Sequence, residues 1–210
     1  MRGYYDSDNF FMRWFGKLAD VVLLGLLWLL CSLPLVTIGA STIALYDAIA
    51  RCVHGNQDGP YKHFFQVFKA EFWRGLFLTL TWAALAFVLY LGCVGLYQWG
   101  QSNSLAQIYS VVYMGTLLIP VAIFIWAIAL EARFGYGFFA LHKAAATFTL
   151  IHLPTTGILL GITALAAVVT AFIPALILVT PGIVVTFHSW FIEKVFKQYL
   201  TEEESDDTAE

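Results

Sequence analysis

The chain has 210 residues, of which 60% are hydrophobic, 17% are aromatic and only 12% are charged, and its formal net charge is −3. Soluble domains carry about 25% charged residues, whereas the stretch from Leu76 to Leu130 of this chain contains no Asp, Glu, Lys or Arg. This composition excludes a soluble globular domain. It predicts an all-α fold, that of a polytopic helical membrane protein with the lipid bilayer as its partner and no nucleic-acid partner.

The first apolar stretch runs without a charge from Val21 to Tyr46 and has Pro34 in its middle. No small-residue cleavage site follows it, so we interpret it as part of the mature protein. Proline lacks the backbone N–H donor and disfavours helix at the residue before it. We therefore predict two short helices, about 17–33 and 36–50, in a hairpin that turns at Pro34. The two arms either cross the membrane or form a re-entrant hairpin that is buried in protein.

The second arm of this hairpin carries small side chains on one face. Ala40, Ala44 and Ala48 recur every four residues, with Gly39 and Ser41 beside them. Such a face lets another helix approach closely, and hydroxyl groups on it can bond to nearby carbonyl groups or across the interface. We predict a helix-packing motif made of Pro34, Thr37, Gly39, Ala40, Ser41, Ala44 and Asp47.

Four further apolar segments follow, each long enough to cross about 30 Å of hydrocarbon. Together with the hairpin they predict six membrane helices, or four plus a re-entrant hairpin. The four later helices are predicted at about 75–97, 107–130, 155–172 and 174–192, within a single membrane domain over residues 1–200.

Three segments outside these helices have their own patterns. Two connectors, about 61–73 and 134–151, have aromatic residues at helical spacing on one face, which is typical of amphipathic helices at the membrane interface. The last ten residues, TEEESDDTAE, hold six acidic residues and no basic one. That composition predicts a disordered acidic tail over residues 201–210.

The basic residues predict the orientation of the chain. If the opening segment crossed the membrane only once, the eleven Lys and Arg residues would be divided three against eight between the two sides. If the segment goes in and returns, all eleven lie on one side, because the connectors at 98–107 and 172–174 carry none. Basic residues favour the cytoplasmic side. We therefore predict a multi-pass plasma-membrane protein with its N- and C-termini in the cytoplasm.

Polar residues offer few candidates for chemistry. The five histidines lie singly, and no metal-binding or nucleotide-binding spacing occurs. The three cysteines are isolated, so we interpret them as apolar fillers. We expect no enzyme activity, no cofactor and no metal site, and we expect His188 to be a packing residue.

The acidic and basic residues nearest the apolar segments lie at the ends of those segments. We predict a polar cluster of Asp20, Arg51 and Arg133, with Asp20 and Asp47 meeting at the mouth of the hairpin and facing Arg51 or Lys17. We expect no buried acid suited to proton coupling.

The run CSLPLVTIGA from Cys31 to Ala40, followed by Ala44 and Leu45, resembles the signature of the YesL-like family of bacterial integral membrane proteins. The resemblance continues loosely at 64–73, 132–134 and 152–154, and so covers almost the whole chain. His152 departs from the family pattern, in which asparagine is more frequent. No activity is established for the family, so the resemblance supplies no catalytic residue.

The resemblance implies a location in the plasma membrane of Gram-positive bacteria and their relatives, and genes that lie beside those of carbohydrate ABC transporters and glycoside-degrading enzymes. We therefore expect a non-enzymatic accessory membrane protein, with transporter permease subunits or a second copy of the chain as protein partners. The alternative is a small solute transporter or channel that uses the hairpin broken at Pro34, since discontinuous helices often form transport sites.

Overall fold

The structure is a computed structural model that describes the backbone of residues 5–55, 59–100 and 104–207, and the side chains of residues 15–55, 59–99, 108, 109 and 112–199. Within these residues the fold is helical throughout. The α-helices are α1 (Tyr5–Cys31), α2 (Ile38–Ala48), α3 (Pro60–Ala70), α4 (Phe72–Gly100), α5 (Ser104–Thr116), α6 (Leu118–Phe134), α7 (Phe138–Ile151), α8 (Leu153–Phe172) and α9 (Thr180–Asp207). Short 3₁₀ turns lie at Leu35–Thr37 and Pro174–Leu178, and a π-helical segment at Ile49–His54 continues α2.

The predicted break at Pro34 is present. Helix α1 ends at Cys31, and the chain reverses through Pro34 and the 3₁₀ turn Leu35–Thr37 before α2 begins. The hydroxyl of Thr37 donates to the carbonyl oxygens of Cys31 and Pro34, at 2.6 Å each, and so satisfies groups that the broken helix leaves open. The opening segment is therefore two helices that pack against each other.

Helix α2 forms the centre of the fold. Ala40, Ile43, Ala44, Leu45 and Ala48 are fully buried, and the helix packs against α1, α3, α4, α6 and α9. Its small residues permit this, because several helix axes can then approach the same short segment. The core extends from α2 to a group of large buried side chains at Phe64, Trp126, Leu130, Ile192 and Phe196.

Four helical stretches among the described residues are long and apolar enough to cross a membrane: Leu35–His54, Phe72–Trp99, Val112–Phe134 and Leu153–Phe172. The first is 72% buried inside the protein, whereas the second is only 6% buried. These four stretches support a helical membrane protein, in which the stretch that contains α2 is enclosed by other helices.

Two predicted helix boundaries are wrong. The helix predicted at 107–130 is divided at Leu117, whose N–H bonds to Met114 O in a tight turn. Pro120, in the first turn of α6, explains the division, because it has no N–H to donate to the carbonyl of Thr116. The helix predicted at 174–192 begins with the 3₁₀ turn Pro174–Leu178 and continues as α9 well beyond residue 192.

Residues 201–207 belong to α9, although the sequence predicted a disordered tail from residue 201. The physical reason is that a helix already fixed by packing adds further residues at little cost, and Glu is a good helix former. The last three residues of the predicted tail lie outside the described residues.

Both predicted amphipathic connectors are helical, as α3 and α7. Helix α3 buries Phe64 and leaves Phe65 exposed, and α7 buries Leu141 and Ala145 while Phe139 is exposed. The loop before α7 begins at Gly135, whose φ of 59° lies in the left-handed region that ends helices and favours glycine.

Candidate functional site: paired charges at one end of helix α2

The helix-packing motif brings α2 and α4 into backbone contact. A Cβ atom added to Gly39 would lie 2.4 Å from Gly75 O, and one added to Gly75 would lie 2.4 Å from the Ala40 backbone. The N–H of Gly39, at the start of α2, donates to Thr79 Oγ1 at 2.8 Å. The predicted packing role of Gly39 and Ala40 therefore has a specific partner in α4, which the sequence did not identify.

Hydroxyl groups hold α1 against α2 near the turn. Ser32 Oγ and Ser41 Oγ lie 2.6 Å apart, and the indole N–H of Trp28 donates to Thr42 Oγ1 at 2.9 Å. Ser41 is one of the predicted motif residues and is fully buried, whereas Pro34 is exposed at the turn. These hydrogen bonds hold the two arms of the hairpin, α1 and α2, against each other.

Asp47 anchors the opposite end of α2. Only 3% of this residue is exposed, and its carboxylate has two partners. Arg51 Nε lies 2.6 Å from Oδ1, and His63 Nε2 lies 2.6 Å from Oδ2. The pair with Arg51 joins α2 to its own π-helical extension, and the pair with His63 ties α2 to α3. Arg51 was a predicted partner of Asp47, but His63 was not.

Asp20 contacts neither Asp47 nor a basic side chain through any hydrogen bond or ion pair among the described residues. Its Oδ1 accepts a hydrogen bond from Tyr61 Oη, on α3. Burial, followed by this bond to the Asp20 carboxylate, raises the pKa of Tyr61 to about 12. Tyr61 therefore remains protonated at neutral pH and acts as the donor, which links α1 to α3.

Arg133 is paired with Glu193 on α9. Its Nε donates to Glu193 Oε1 at 2.9 Å and its Nη2 to Oε2, a bidentate arrangement. Tyr46, beside Asp47 on α2, donates to Glu193 Oε1 at 3.4 Å. The predicted cluster of Asp20, Arg51 and Arg133 thus lies around one end of α2, but each member has its own partner.

Two histidines that the sequence left without a partner also join helices. His188 Nε2, on α9, lies 3.2 Å from Leu159 O and 3.3 Å from Thr163 Oγ1, both on α8. His54 Nδ1 lies 3.3 Å from Ser189 Oγ. The contacts of His188 with Leu159 and Thr163 therefore support the packing role that the sequence predicted for it.

Two acids among the described residues are buried, and the expectation of no buried acid suited to proton coupling stays a prediction. Glu131, at the end of α6, is only 5% exposed, and Asp47 is buried as well. Both lie near the ends of apolar segments. Helix α3 packs against α2 and helix α7 packs against α6, and the sequence pattern does not show these contacts. Glu131 is also held by weaker contacts than Asp47.

The charged side chains around α2 form ion pairs between helical segments. Asp47 and Glu193 each contact a basic side chain at hydrogen-bonding distance, so these ion pairs hold neighbouring helical segments together. Among the described residues, no group of three or more His, Cys, Asp and Glu side chains is arranged to hold a metal ion.

A separate apolar cavity of about 650 Å³ lies between α1, α2, α8 and α9. Its walls include the hydroxyl-bearing side chains of Thr42, Thr163, Thr170 and Thr180, and both the turn after α1 and the 3₁₀ turn before α9 border it. A cavity beside two interrupted helices is the kind of place where membrane transporters hold small solutes.

The comparisons with known proteins concern the N-terminal part of the chain. No curated protein and no solved structure matches the chain. A protein-family model matches residues 21–93. This region contains the hairpin, the contact of Gly39 with Gly75, and Asp47 with its partners Arg51 and His63. Over these residues the chain is similar to the family described as Protein of unknown function, DUF624.

Proposed function

We propose that this chain is a non-enzymatic accessory protein of a bacterial plasma membrane, associated with a carbohydrate uptake system of the ABC type. The YesL-like resemblance of the signature from Cys31 to Ala40 supplies the biological setting. The observation that carries the accessory role is the contrast between α2 and α4. The span containing α2 is 72% buried in the protein, whereas that of α4 is only 6% buried and is available to a second membrane protein.

The exposed face of α4 has the composition of a contact surface. It presents large aromatic side chains along its length, at Phe77, Phe87, Tyr90, Tyr97 and Trp99. Aromatic residues are enriched in protein interfaces, where they bury much area with few rotatable bonds. Helix α8 is also exposed, but its only aromatic side chain is Phe172, at its last residue. We therefore place the permease contact on α4.

This placement predicts a site-specific cross-link. A photo-reactive amino acid at Phe87, which is 62% exposed, should give an adduct with a permease subunit in native membranes, identified by mass spectrometry. The matched control is the same probe at Leu165, an equally exposed position on α8, where we expect lipid adducts. Lipid adducts at both positions, together with normal sugar uptake in a deletion strain, would contradict the accessory role. An adduct with a second copy of the chain would show that α4 forms a homo-oligomer contact and not a permease contact.

We further propose that α1 and α9 complete a set of six spans, with both termini in the cytoplasm. All eleven basic residues then face the cytoplasm, as membrane insertion favours. In a variant without the three native cysteines, Gln98→Cys should react with an impermeant maleimide in intact cells. Lys62→Cys and Lys69→Cys should react only after the membrane is opened. Labelling of either lysine position in intact cells would overturn this orientation.

The alternative function is transport of a small solute, and the 650 Å³ cavity is the observation that favours it. If the cavity holds the solute, Thr163→Val should reduce flux through protein reconstituted in liposomes, because the variant keeps the shape and removes a hydroxyl. Thr81→Val, on α4 and outside this cavity, is the matched control. Absence of flux for a panel of sugars and ions would leave the accessory role as the better proposal.

A further inference from the structure

A second acidic site lies apart from the charges around α2. A cavity of about 330 Å³ opens between α4, α6, α7 and the loop that begins at Gly135. Its lining includes Arg74, Phe77, Glu131, Tyr136 and Phe138. The cavity lies where two of the candidate spans, Phe72–Trp99 and Val112–Phe134, have their neighbouring ends.

Glu131 is the unusual group in this cavity. Its side chain is only 3% exposed, and its Oε2 has no hydrogen-bond partner among the described residues. Arg74 Nη1 lies 3.6 Å from Glu131 Oε1, which is an ionic contact but not a hydrogen bond. Buried carboxylate oxygens almost always accept a hydrogen bond, since leaving one unpaired costs free energy. No described residue therefore supplies a hydrogen-bond donor to Glu131 Oε2.

The charges around Glu131 specify what is missing. Glu71 Oε2 lies 3.6 Å from the same Arg74 Nη1 and also has no hydrogen-bond partner among the described residues. Two carboxylates thus share one guanidinium, which leaves a net charge of −1 when both carboxylates are ionised. A ligand that supplies one positive charge and one or more N–H donors would neutralise the site.

The walls of the cavity indicate the rest of the ligand. Phe77, Tyr136 and Phe138 surround the space with aromatic rings, which attract cations through their faces and accept apolar groups. The volume exceeds what a bare metal ion needs, and no metal-binding group of His, Cys, Asp and Glu occurs among the described residues.

We propose that this cavity binds a primary ammonium group attached to a small apolar body. The ammonium donates to Glu131 Oε2 and lies near Glu71, and the body packs on Phe77 and Phe138. The same chemistry occurs in soluble amines and in aminophospholipid head groups. Both sources could reach the cavity, because it lies at the ends of membrane spans.

The test uses the full chain in nanodiscs made only of phosphatidylglycerol, with 2-phenylethylammonium as the probe. Calorimetric titration should show saturable binding of the ammonium. The neutral analogue 2-phenylethanol has the same apolar body and should bind at least about tenfold more weakly, since it lacks the charge-assisted bond. Equal binding of the two compounds would overturn the proposal.

Two substitutions should act in opposite directions. Glu131→Gln should weaken binding of the ammonium about tenfold or more, because it removes the acceptor charge. Arg74→Gln should strengthen binding by about threefold or more, because it removes the competing positive charge near the same carboxylate. Arg74 is 57% exposed, so this variant tests the charge rule even if Glu131→Gln fails to fold. Thr147→Val, at an exposed position of α7 outside the cavity, should leave the affinity unchanged.

Weaker binding in Arg74→Gln would contradict the proposal, as would unchanged binding in a folded Glu131→Gln variant. The two natural sources are then separated by adding phosphatidylethanolamine to the nanodiscs. Competition between this lipid and the probe identifies the head group as the occupant, whereas an unchanged titration identifies a soluble amine.

Discussion

Replacing Gly75 by alanine should destabilise this protein by more than about 3 kcal/mol. The Cβ of alanine would lie 2.4 Å from both the N and Cα atoms of Ala40, and 2.7 Å from its Cβ. These are mainly backbone atoms of a fully buried helix, so no rotation of a flexible side chain can relieve the clash. We expect α4 to separate from α2, which would also break the bond between Gly39 N–H and Thr79 Oγ1. Thermal unfolding in detergent, followed by fluorescence-detected size exclusion, measures the change.

The matched control is Gly95→Ala in the same helix. Among the described residues, and apart from the neighbouring backbone of α4 itself, no atom lies within 4 Å of a Cβ added at Gly95, so the substitution meets open space. Alanine is favoured over glycine in helices by up to about 1 kcal/mol. Gly95→Ala should therefore keep or slightly raise the unfolding temperature. If both variants unfold at the wild-type temperature, the contact between α2 and α4 does not support the fold as described.

Asp47→Asn should give the second large effect, a loss of about 2–3 kcal/mol of unfolding free energy. The substitution keeps the shape of the side chain but removes the charge between Arg51 and His63, both within 2.6 Å. The amide can accept a hydrogen bond through only one of its two terminal atoms, so one of these donors loses its partner. The expected loss is below that of a fully enclosed ion pair, because Arg51 and His63 are partly exposed.

Asp20→Asn provides a graded comparison for Asp47→Asn. Asp20 accepts a hydrogen bond from Tyr61, and the amide oxygen of asparagine can accept the same bond. We expect a loss of about 1 kcal/mol or less. In a double-mutant cycle, Arg51→Gln should cost much less in the Asp47→Asn background than in the wild type. Additive losses would show that Asp47 and Arg51 do not interact in the folded protein.

Much of the helical architecture could be predicted from local sequence. Pro34 removes a backbone donor in the middle of a long apolar segment and disfavours helix at the residue before it, so the break in the opening segment could be predicted from the chain alone. Pro120 carries the same local signal, and the division of the third long apolar segment at Leu117 could have been predicted from it. The aromatic periodicity around Phe64 likewise identified α3, because a helix at an interface separates its two faces in a regular pattern.

The partners of these elements could not be predicted in the same way. The small face around Ala40 indicated close packing, but not that Gly75 would meet it, because a small side chain is complementary to any helix that approaches closely. Lys17 and Arg51 were equally plausible partners for the hairpin acids, since both are basic and near in sequence. His63 became the partner of Asp47, and Tyr61 the partner of Asp20, because α3 folds back over the end of α2.

The sequence by itself determined that this chain is a helical membrane protein, where its opening segment breaks and which face of α2 is small. Those properties depend on composition and on backbone chemistry within a few residues. Only the tertiary structure decided that α2 is enclosed while α4 is exposed, and that Asp47 is paired whereas one oxygen of Glu131 has no donor among the described residues. The physical reason is that burial and pairing depend on which helices meet in space, and residues far apart in sequence supply those contacts.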